Sequence, residues 1–190
     1  SSYMFVFGHT GITLGTAMAI DAITHRRGRL GIYPIRPWLD YRLLLIASLL
    51  PDIIDKPLGL LALKDTISYG HIYAHTFLFL LVTGMLGAWL FRRHGKGWLL
   101  IMAFGSLMHD LEDQMWRWPD VLWWPLKGLS FPREDTSAWF SNIWRALATA
   151  PDVYIQELVG IGFLIFAAVK VFRSRRFLYA LKTGHIDRLS

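Results

Sequence analysis

The chain alternates long apolar runs with short polar loops, and the runs approach the length of transmembrane helices. A bilayer core about 30 Å thick needs about 20 helical residues. Pro51, near the end of a short second run, predicts a kink or a stop there. The pattern predicts an all-α integral membrane protein, a helical bundle of about five transmembrane helices. The predicted spans are Tyr3–Thr24, Leu39–Ile54, Ile67–Phe91, Trp98–Trp116 and Val153–Phe172.

A segment rich in tryptophan, proline and charge, Arg117–Ala150, separates the last two runs. Tryptophan favours headgroup depth, so the segment predicts an interfacial Trp-rich loop with one short amphipathic helix near Thr136–Thr149. We expect a transmembrane helical domain over residues 1–172. Residues 173–190 are polar and basic, and they predict a cytoplasmic tail.

Composition narrows the class of protein further. Of 190 residues, 54% are hydrophobic, and the formal net charge is +6. The basic residues fall in short clusters that each follow an apolar run, which is typical of cytoplasmic loops and argues against nucleic-acid binding. The chain has no cysteine, which excludes disulfides, thiolate metal sites and a cysteine nucleophile.

The positive charges also predict an orientation. If the loop after the first helix is cytoplasmic, alternation places the loop after the third helix and the C-terminal tail on the same side. These regions with their adjoining helix ends hold 14 of the 20 Lys and Arg residues. We therefore predict an N-terminus outside and a C-terminus inside, in a plasma membrane of the prokaryotic inner-membrane type.

Alternating helix directions bring a set of ionisable residues to the non-cytoplasmic end. Three pairs within the set are spaced three or four apart, so on helices each pair would project from one face. His25, His94 and His185 fall at the other end. Asp110 and Glu112 are expected to be solvated neighbours or second-shell partners. The set is His9, Asp52, Asp55, His71, His75, His109, Asp113 and Glu157.

Each residue also has a structural interpretation: a packing role for a lone histidine, a helix cap for Asp52, or an interfacial position for Glu157. Together they favour a metal, because ionisable groups in spanning segments are costly and a divalent cation offsets that cost for several at once. Imidazole and carboxylate ligands without thiolate suit Zn²⁺, Mn²⁺ or Fe²⁺, with Zn²⁺ preferred and one or two ions expected.

Five short motifs in order resemble the YdjM-like family of membrane-bound metal-dependent hydrolases. That family shows an early His, a Leu-Pro-Asp-x-Asp signature, a Thr-His-Ser signature, a His-x-x-x-Asp pair and a Leu-Trp-Pro stretch. The order and rough spacing agree from His9 to Pro125. The corresponding segments are Gly8–Gly11, Leu49–Lys56, Ala74–Thr76, His109–Asp113 and Leu122–Leu126.

The chain departs from that pattern in three places. Asp52 and Asp55 are three apart rather than two, Ala74 stands where the family has Thr, and the Arg-Gly that leads into the family's histidine is absent. His71 therefore has only an approximate counterpart in the family.

The resemblance implies metal-dependent hydrolysis. The expected metal ligands are the family-matched residues together with His71, and Asp55 or Glu157 is expected as bridging ligand or base. Arg117, Lys127 and Arg133 would favour an amphiphilic substrate with an anionic head, such as a phospholipid or polyprenyl-phosphate ester. An ion or metal transporter and a structural protein with an acidic outer face remain the alternatives. The family-matched residues are His9, Asp52, His75, His109 and Asp113.

Overall fold

A computed structural model describes residues 5–28, 39–133, 139–175 and 177–185, and within these ranges every regular element is a helix. A π-helical turn spans Leu58–Ala62, and a 3-10 turn spans Met115–Arg117. The helices are α1 (Val6–Gly28), α2 (Tyr41–Ala47), α3 (Leu50–Pro57), α4 (Phe77–His94), α5 (Trp98–Glu112), α6 (Pro119–Leu122), α7 (Trp139–Thr149), α8 (Pro151–Arg173) and α9 (Phe177–Thr183).

The all-α class is confirmed, whereas a bundle of five spanning helices is not. Among the described residues, two helices are long and apolar enough to cross a bilayer: Val6–Thr24 within α1, and α8. The 18 residues of α4 end in Arg92, Arg93 and His94. The 15 residues of α5 fall short of the usual spanning length.

The two long helices, α1 and α8, pack against each other through glycine. A Cβ atom built on Gly11 would lie 2.0 Å from the carbonyl oxygen of Gly160, and one built on Gly15 would meet the ring of Phe163 at 2.6 Å. Both contacts advance along α1 and α8 in the same direction, so the helices run parallel. Small residues permit this close backbone approach in membrane helices.

The second predicted run forms two helices rather than one. Asp40 caps α2 by accepting from the backbone N–H groups of Arg42 and Leu43. The helix breaks at Ser48 and Leu49, because a proline lacks an N–H and its ring clashes with the preceding turn. Pro51, two residues further on, therefore lies in the first turn of α3 instead of ending the helical run.

The third predicted helix, Ile67–Phe91, is wrong in its first part. Residues 63–76 are not helical, and α4 begins at Phe77, where the Thr76 hydroxyl accepts from the backbone N–H of Phe79. His71 and His75 therefore do not share a helix face. They lie on a connecting segment between the π-helical turn and α4.

The direction of α5 brings the polar ends of several helices together. α5 packs on α2, where a Cβ atom on Gly105 would lie 2.5 Å from the Cβ of Ala47. It runs antiparallel to α1, since His9 contacts Glu112 at one end and the other end joins the apolar core. That core is formed by Leu14, Ala17, Leu39, Tyr41, Leu44, Ile101 and Ala167.

The Trp-rich segment contains α6 and α7. The amphipathic helix predicted near residues 136–149 is present as α7 from Trp139, and residues 136–138 lie outside the described ranges. The division into a transmembrane domain over residues 1–172 and a cytoplasmic tail over residues 173–190 stays a prediction. The Arg42 guanidinium donates to the carbonyls of Leu181 and Lys182, and its contact with Asp40 lowers the pKa of that carboxyl.

Candidate metal centre

Four histidines from separate parts of the chain meet at one end of the bundle. His9 comes from the first turn of α1, His109 from the last turn of α5, and His71 and His75 from the segment ahead of α4. The His9 and His109 rings stack with centroids 3.9 Å apart, and the His75 and His109 centroids are 5.1 Å apart. The predicted convergence of these helix ends is therefore present.

Three of these rings are held through Nδ1 by an acceptor. His9 Nδ1 lies 2.9 Å from Glu112 Oε2, and His75 Nδ1 lies 2.7 Å from Asp55 Oδ2. His109 Nδ1 lies 2.8 Å from the carbonyl oxygen of Ser48. A carbonyl or carboxylate oxygen requires an N–H donor, so each ring carries its proton on Nδ1. A ring in its neutral form then presents the Nε2 lone pair on its other side.

These Nε2 lone pairs face one another and carboxylate oxygens. His75 Nε2 and His109 Nε2 are 3.2 Å apart, and His9 Nε2 is 3.3 Å from Asp113 Oδ1. Burial lowers the pKa of His75 well below its usual range, so its ring is neutral. Two acceptors that face each other at these distances repel unless a proton or a metal ion lies between them. The arrangement matches metal-ligating imidazoles whose other nitrogen is held by a second partner.

The pattern of unpaired atoms fits the same interpretation. Within the described ranges, His9 Nε2, Asp52 Oδ1 and Asp113 Oδ1 are buried and have no hydrogen-bond partner. Asp52 Oδ1 is 3.7 Å from His75 Nε2 and 3.8 Å from His109 Nε2. Buried polar atoms are normally satisfied, so a group of unpaired acceptors at one point calls for a missing partner.

Three overlapping sets of ligand atoms could each hold an ion, with the atoms of every set within 4.8 Å of one another. The sets share members, since Asp52, His75 and His109 each belong to two of them. Side chains that serve two sets are compatible with one ion or with two ions that share ligands. The sets are His9–Asp52–His109, Asp52–His71–His75 and His75–His109–Asp113.

Apart from the bridging candidates Asp55 and Glu157, every residue that was expected as a metal ligand lies in one of these sets. His71 contributes an Nε2 atom 3.5 Å from Asp113 Oδ2, and 17% of its side chain is exposed. The nitrogen and oxygen donors without sulfur suit Zn²⁺, Mn²⁺ or Fe²⁺. The residues present therefore fit a divalent metal ion.

Asp55 has a different role from the bridging ligand or base that was expected. Its carboxylate accepts from the backbone N–H groups of Ile72, Ala74 and His75 as well as from His75 Nδ1. It is fully buried, and burial raises its pKa to about 6. Asp55 thus orients His75 and holds the segment 63–76 in place.

Glu157 lies at the predicted end of the bundle but belongs to none of the three ligand sets. Its carboxylate accepts from the backbone N–H groups of Phe5, Phe7 and Gly8, the last at 2.8 Å. These are N–H groups at the start of α1 that have no intrahelical acceptor, and a carboxylate there also suits the helix dipole. We assign Glu157 to capping α1 from α8.

Glu112 and Asp110, two acids near His109, differ in their hydrogen-bond partners. Glu112 lies beside a candidate ligand, since one of its oxygens is 2.9 Å from His9 Nδ1 and the other accepts from the Thr13 hydroxyl at 3.1 Å. Asp110 is not a solvated neighbour, because only 4% of it is exposed. Its two oxygens and the Ser106 hydroxyl, one turn earlier on α5, have no hydrogen-bond partner in the described part of the chain.

Sequence reasoning missed two contributors. The carbonyl of Ser48 carries no side-chain signal, although the helix break ahead of Pro51 hints that a nearby carbonyl is free to accept. Lys56 binds Asp52 one helical turn away and is a third exposed. Arg133 was expected to favour a substrate with an anionic head. Its guanidinium donates to the carbonyls of Asp65 and Thr66.

The family match covers most of the chain. The model of the YdjM inner membrane protein family matches residues 4–180. The chain belongs to this family. Neither the curated proteins nor the solved structures gave a match. Membership of the YdjM family agrees with the two apolar helices and gives the site a membrane setting.

Proposed function

We propose that this YdjM-family protein is a membrane-embedded metal-dependent hydrolase whose site faces the non-cytoplasmic side. The observation that carries the proposal is the meeting of imidazole Nε2 atoms, each ring held at Nδ1 by its own acceptor. A divalent metal ion, with Zn²⁺ preferred, would satisfy these lone pairs. A bound ion of this kind lowers the pKa of water that it binds from about 16 to about 7 and polarises an ester oxygen.

The carboxylates at this end of the bundle differ in whether they are free to accept a proton. Asp55 and Glu157 are occupied by N–H donors and are poorly placed to take a proton. Asp52 Oδ1 and Asp113 Oδ1 are unpaired and face the histidines. Whichever of these two carboxylates does not bind the ion serves as the general base, since a base must lie within hydrogen-bond reach of the proton it takes.

The setting of the site favours an amphiphilic substrate. The residues that follow α5 carry Trp116, Trp118 and Trp123, all substantially exposed, at the same end of the bundle as the histidines. Aromatic side chains of this kind lie at membrane interfaces. A lipid ester, such as a phospholipid or polyprenyl-phosphate ester, would present its polar group at this depth.

Metal analysis coupled to a hydrolysis assay tests the proposal. Protein purified in detergent without chelator should contain about one or two divalent ions per chain, and His75→Ala should remove most of that metal together with lipid-ester hydrolysis. His94→Ala, at the far end of α4, is the matched control and should change neither. Absence of stoichiometric metal in the wild type would contradict the proposal. Metal that binds without any turnover, but exchanges across liposome membranes, would favour a transporter.

A further inference from the structure

Among the described side chains at the metal centre, Asp52 and its neighbours His71 and Lys56 are more exposed than the rest. Its histidines from α1 and α5 have no exposed surface, and Asp113 is 7% exposed. By contrast, 15% of the Asp52 side chain, 17% of His71 and 33% of Lys56 are exposed. The mouth of the site is therefore formed by Asp52, His71 and Lys56, and a substrate that reaches the ion passes these three side chains.

Lys56 is held at this mouth by its contact with Asp52. Its ammonium donates to Asp52 Oδ2 from the next turn of α3. Its stem lies beside the segment 63–76, where a Cβ atom built on Gly70 would be 3.7 Å from Lys56 Cγ. The stem thus lies near this backbone while the charged end is at the opening, as long cationic side chains commonly arrange themselves.

The two oxygens of Asp52 point to different partners. Oδ2 accepts from Lys56, whereas Oδ1 is unpaired and faces His75 Nε2 and His109 Nε2. The same carboxylate therefore links the ion's ligand atoms to the ammonium. An ammonium has three N–H donors, and the contact with Asp52 uses one. The other two are available to a ligand that enters the mouth.

We propose that Lys56, together with the ion, forms a binding subsite for a phosphate group. This inference rests on the proposed metal site and adds the class of group that enters it. A phosphate ester has several negatively charged oxygens, so one oxygen can contact the ion while another accepts from Lys56. Lysine binds phosphate well as a point charge, and an ammonium contact to an anion is a strong hydrogen bond. A phosphate monoester lipid and free phosphate share this chemistry.

Phosphate binding to metal-loaded, detergent-solubilised full-length protein tests this subsite. Inorganic phosphate is titrated against Mn²⁺-loaded protein, with ³¹P relaxation as the readout, and phosphatidic acid in phosphatidylcholine vesicles forms a second arm with reconstituted protein. Lys56→Met and Lys56→Gln remove the charge, Lys56→Arg keeps it, and Lys64→Met is the control on an exposed lysine of the neighbouring segment. Metal content of every variant is measured in parallel.

We expect wild type and Lys64→Met to bind phosphate equally, and Lys56→Met and Lys56→Gln to bind about tenfold more weakly at unchanged metal content. Lys56→Arg should retain most of the affinity. Tighter binding in one arm identifies the lipid or the free anion as the source. Equal phosphate affinity in wild type and the two neutral variants would overturn the subsite while leaving the metal site intact. Metal-free wild type would instead overturn the proposed function, and the subsite with it.

Discussion

Replacing Asp55 by Asn removes the charge that holds both His75 and the segment ahead of α4. Four N–H donors converge on this carboxylate: the backbone groups of Ile72, Ala74 and His75, at 2.8–3.3 Å, and His75 Nδ1 at 2.7 Å. The amide of Asn keeps one oxygen, which can accept two hydrogen bonds, and adds an NH₂ group that opposes the other donors.

The expected loss of folding stability follows from the number of N–H donors that lose their acceptor. At least two of the four buried N–H groups lose their acceptor, and each stranded group costs about 1–3 kcal/mol, so the variant should be destabilised by about 2–6 kcal/mol. His75 also loses the partner that sets its tautomer. Loss of such a second-shell carboxylate typically weakens metal binding by about 10–100-fold.

Chelator competition and thermal unfolding in one detergent measure both effects. Asp65→Asn, which alters an exposed acid of the same connecting segment, is the matched control and should behave as wild type. The metal dissociation constant of Asp55→Asn should rise by at least tenfold even at temperatures where the variant is folded. A metal affinity within about twofold of both references would refute the assignment of Asp55 as the partner of His75.

Three further outcomes are expected. Glu157→Gln should lower the Tm, because the N–H groups at the start of α1 lose a charged acceptor, while the folded variant keeps its full metal content. Loss of metal in the folded variant would indicate that Glu157 is a metal ligand after all. Gly11→Ala should disrupt the α1–α8 contact and lower the yield of folded protein, whereas Gly162→Ala, with open space at its Cβ, should be tolerated; equal yields would refute the packing. Metal affinity should fall as the pH drops through about 6, because burial raises the pKa of Asp55 to about 6 and protonation weakens the acceptor that holds His75 Nδ1; a metal affinity that does not change between pH 7 and pH 5 would contradict this role of Asp55.

The sequence predicted the convergence of the site because that depends on topology alone. His9 begins one apolar run and His109 ends another, so alternating directions bring them to one end whatever the packing details. The same logic placed Asp52 correctly even though its run proved to be two helices. Orientation in the membrane stays a prediction, since no described contact tests it.

The parts that could not be predicted depend on long-range hydrogen bonds. Spacing alone suggested that His71 and His75 share a helix face. The carboxylate of Asp55 overrides that local preference, because it captures backbone N–H groups that a helix would need internally. Glu157 begins an apolar run at the same predicted membrane end as the ligands, yet its partners are backbone groups of α1, far away in the chain. Neither outcome is readable from residue type and spacing.

Metal binding and bundle assembly should be coupled in this protein. The ligand atoms come from α1, α3, the segment ahead of α4, and α5, so no ligand set exists before these elements meet. Once they meet, Nε2 of His75 and Nε2 of His109 lie 3.2 Å apart and need a proton or a metal ion between them. We expect a bound ion to stabilise this arrangement, so that its binding free energy becomes part of the folding free energy. The polar end of the bundle should therefore be most stable with a metal ion bound.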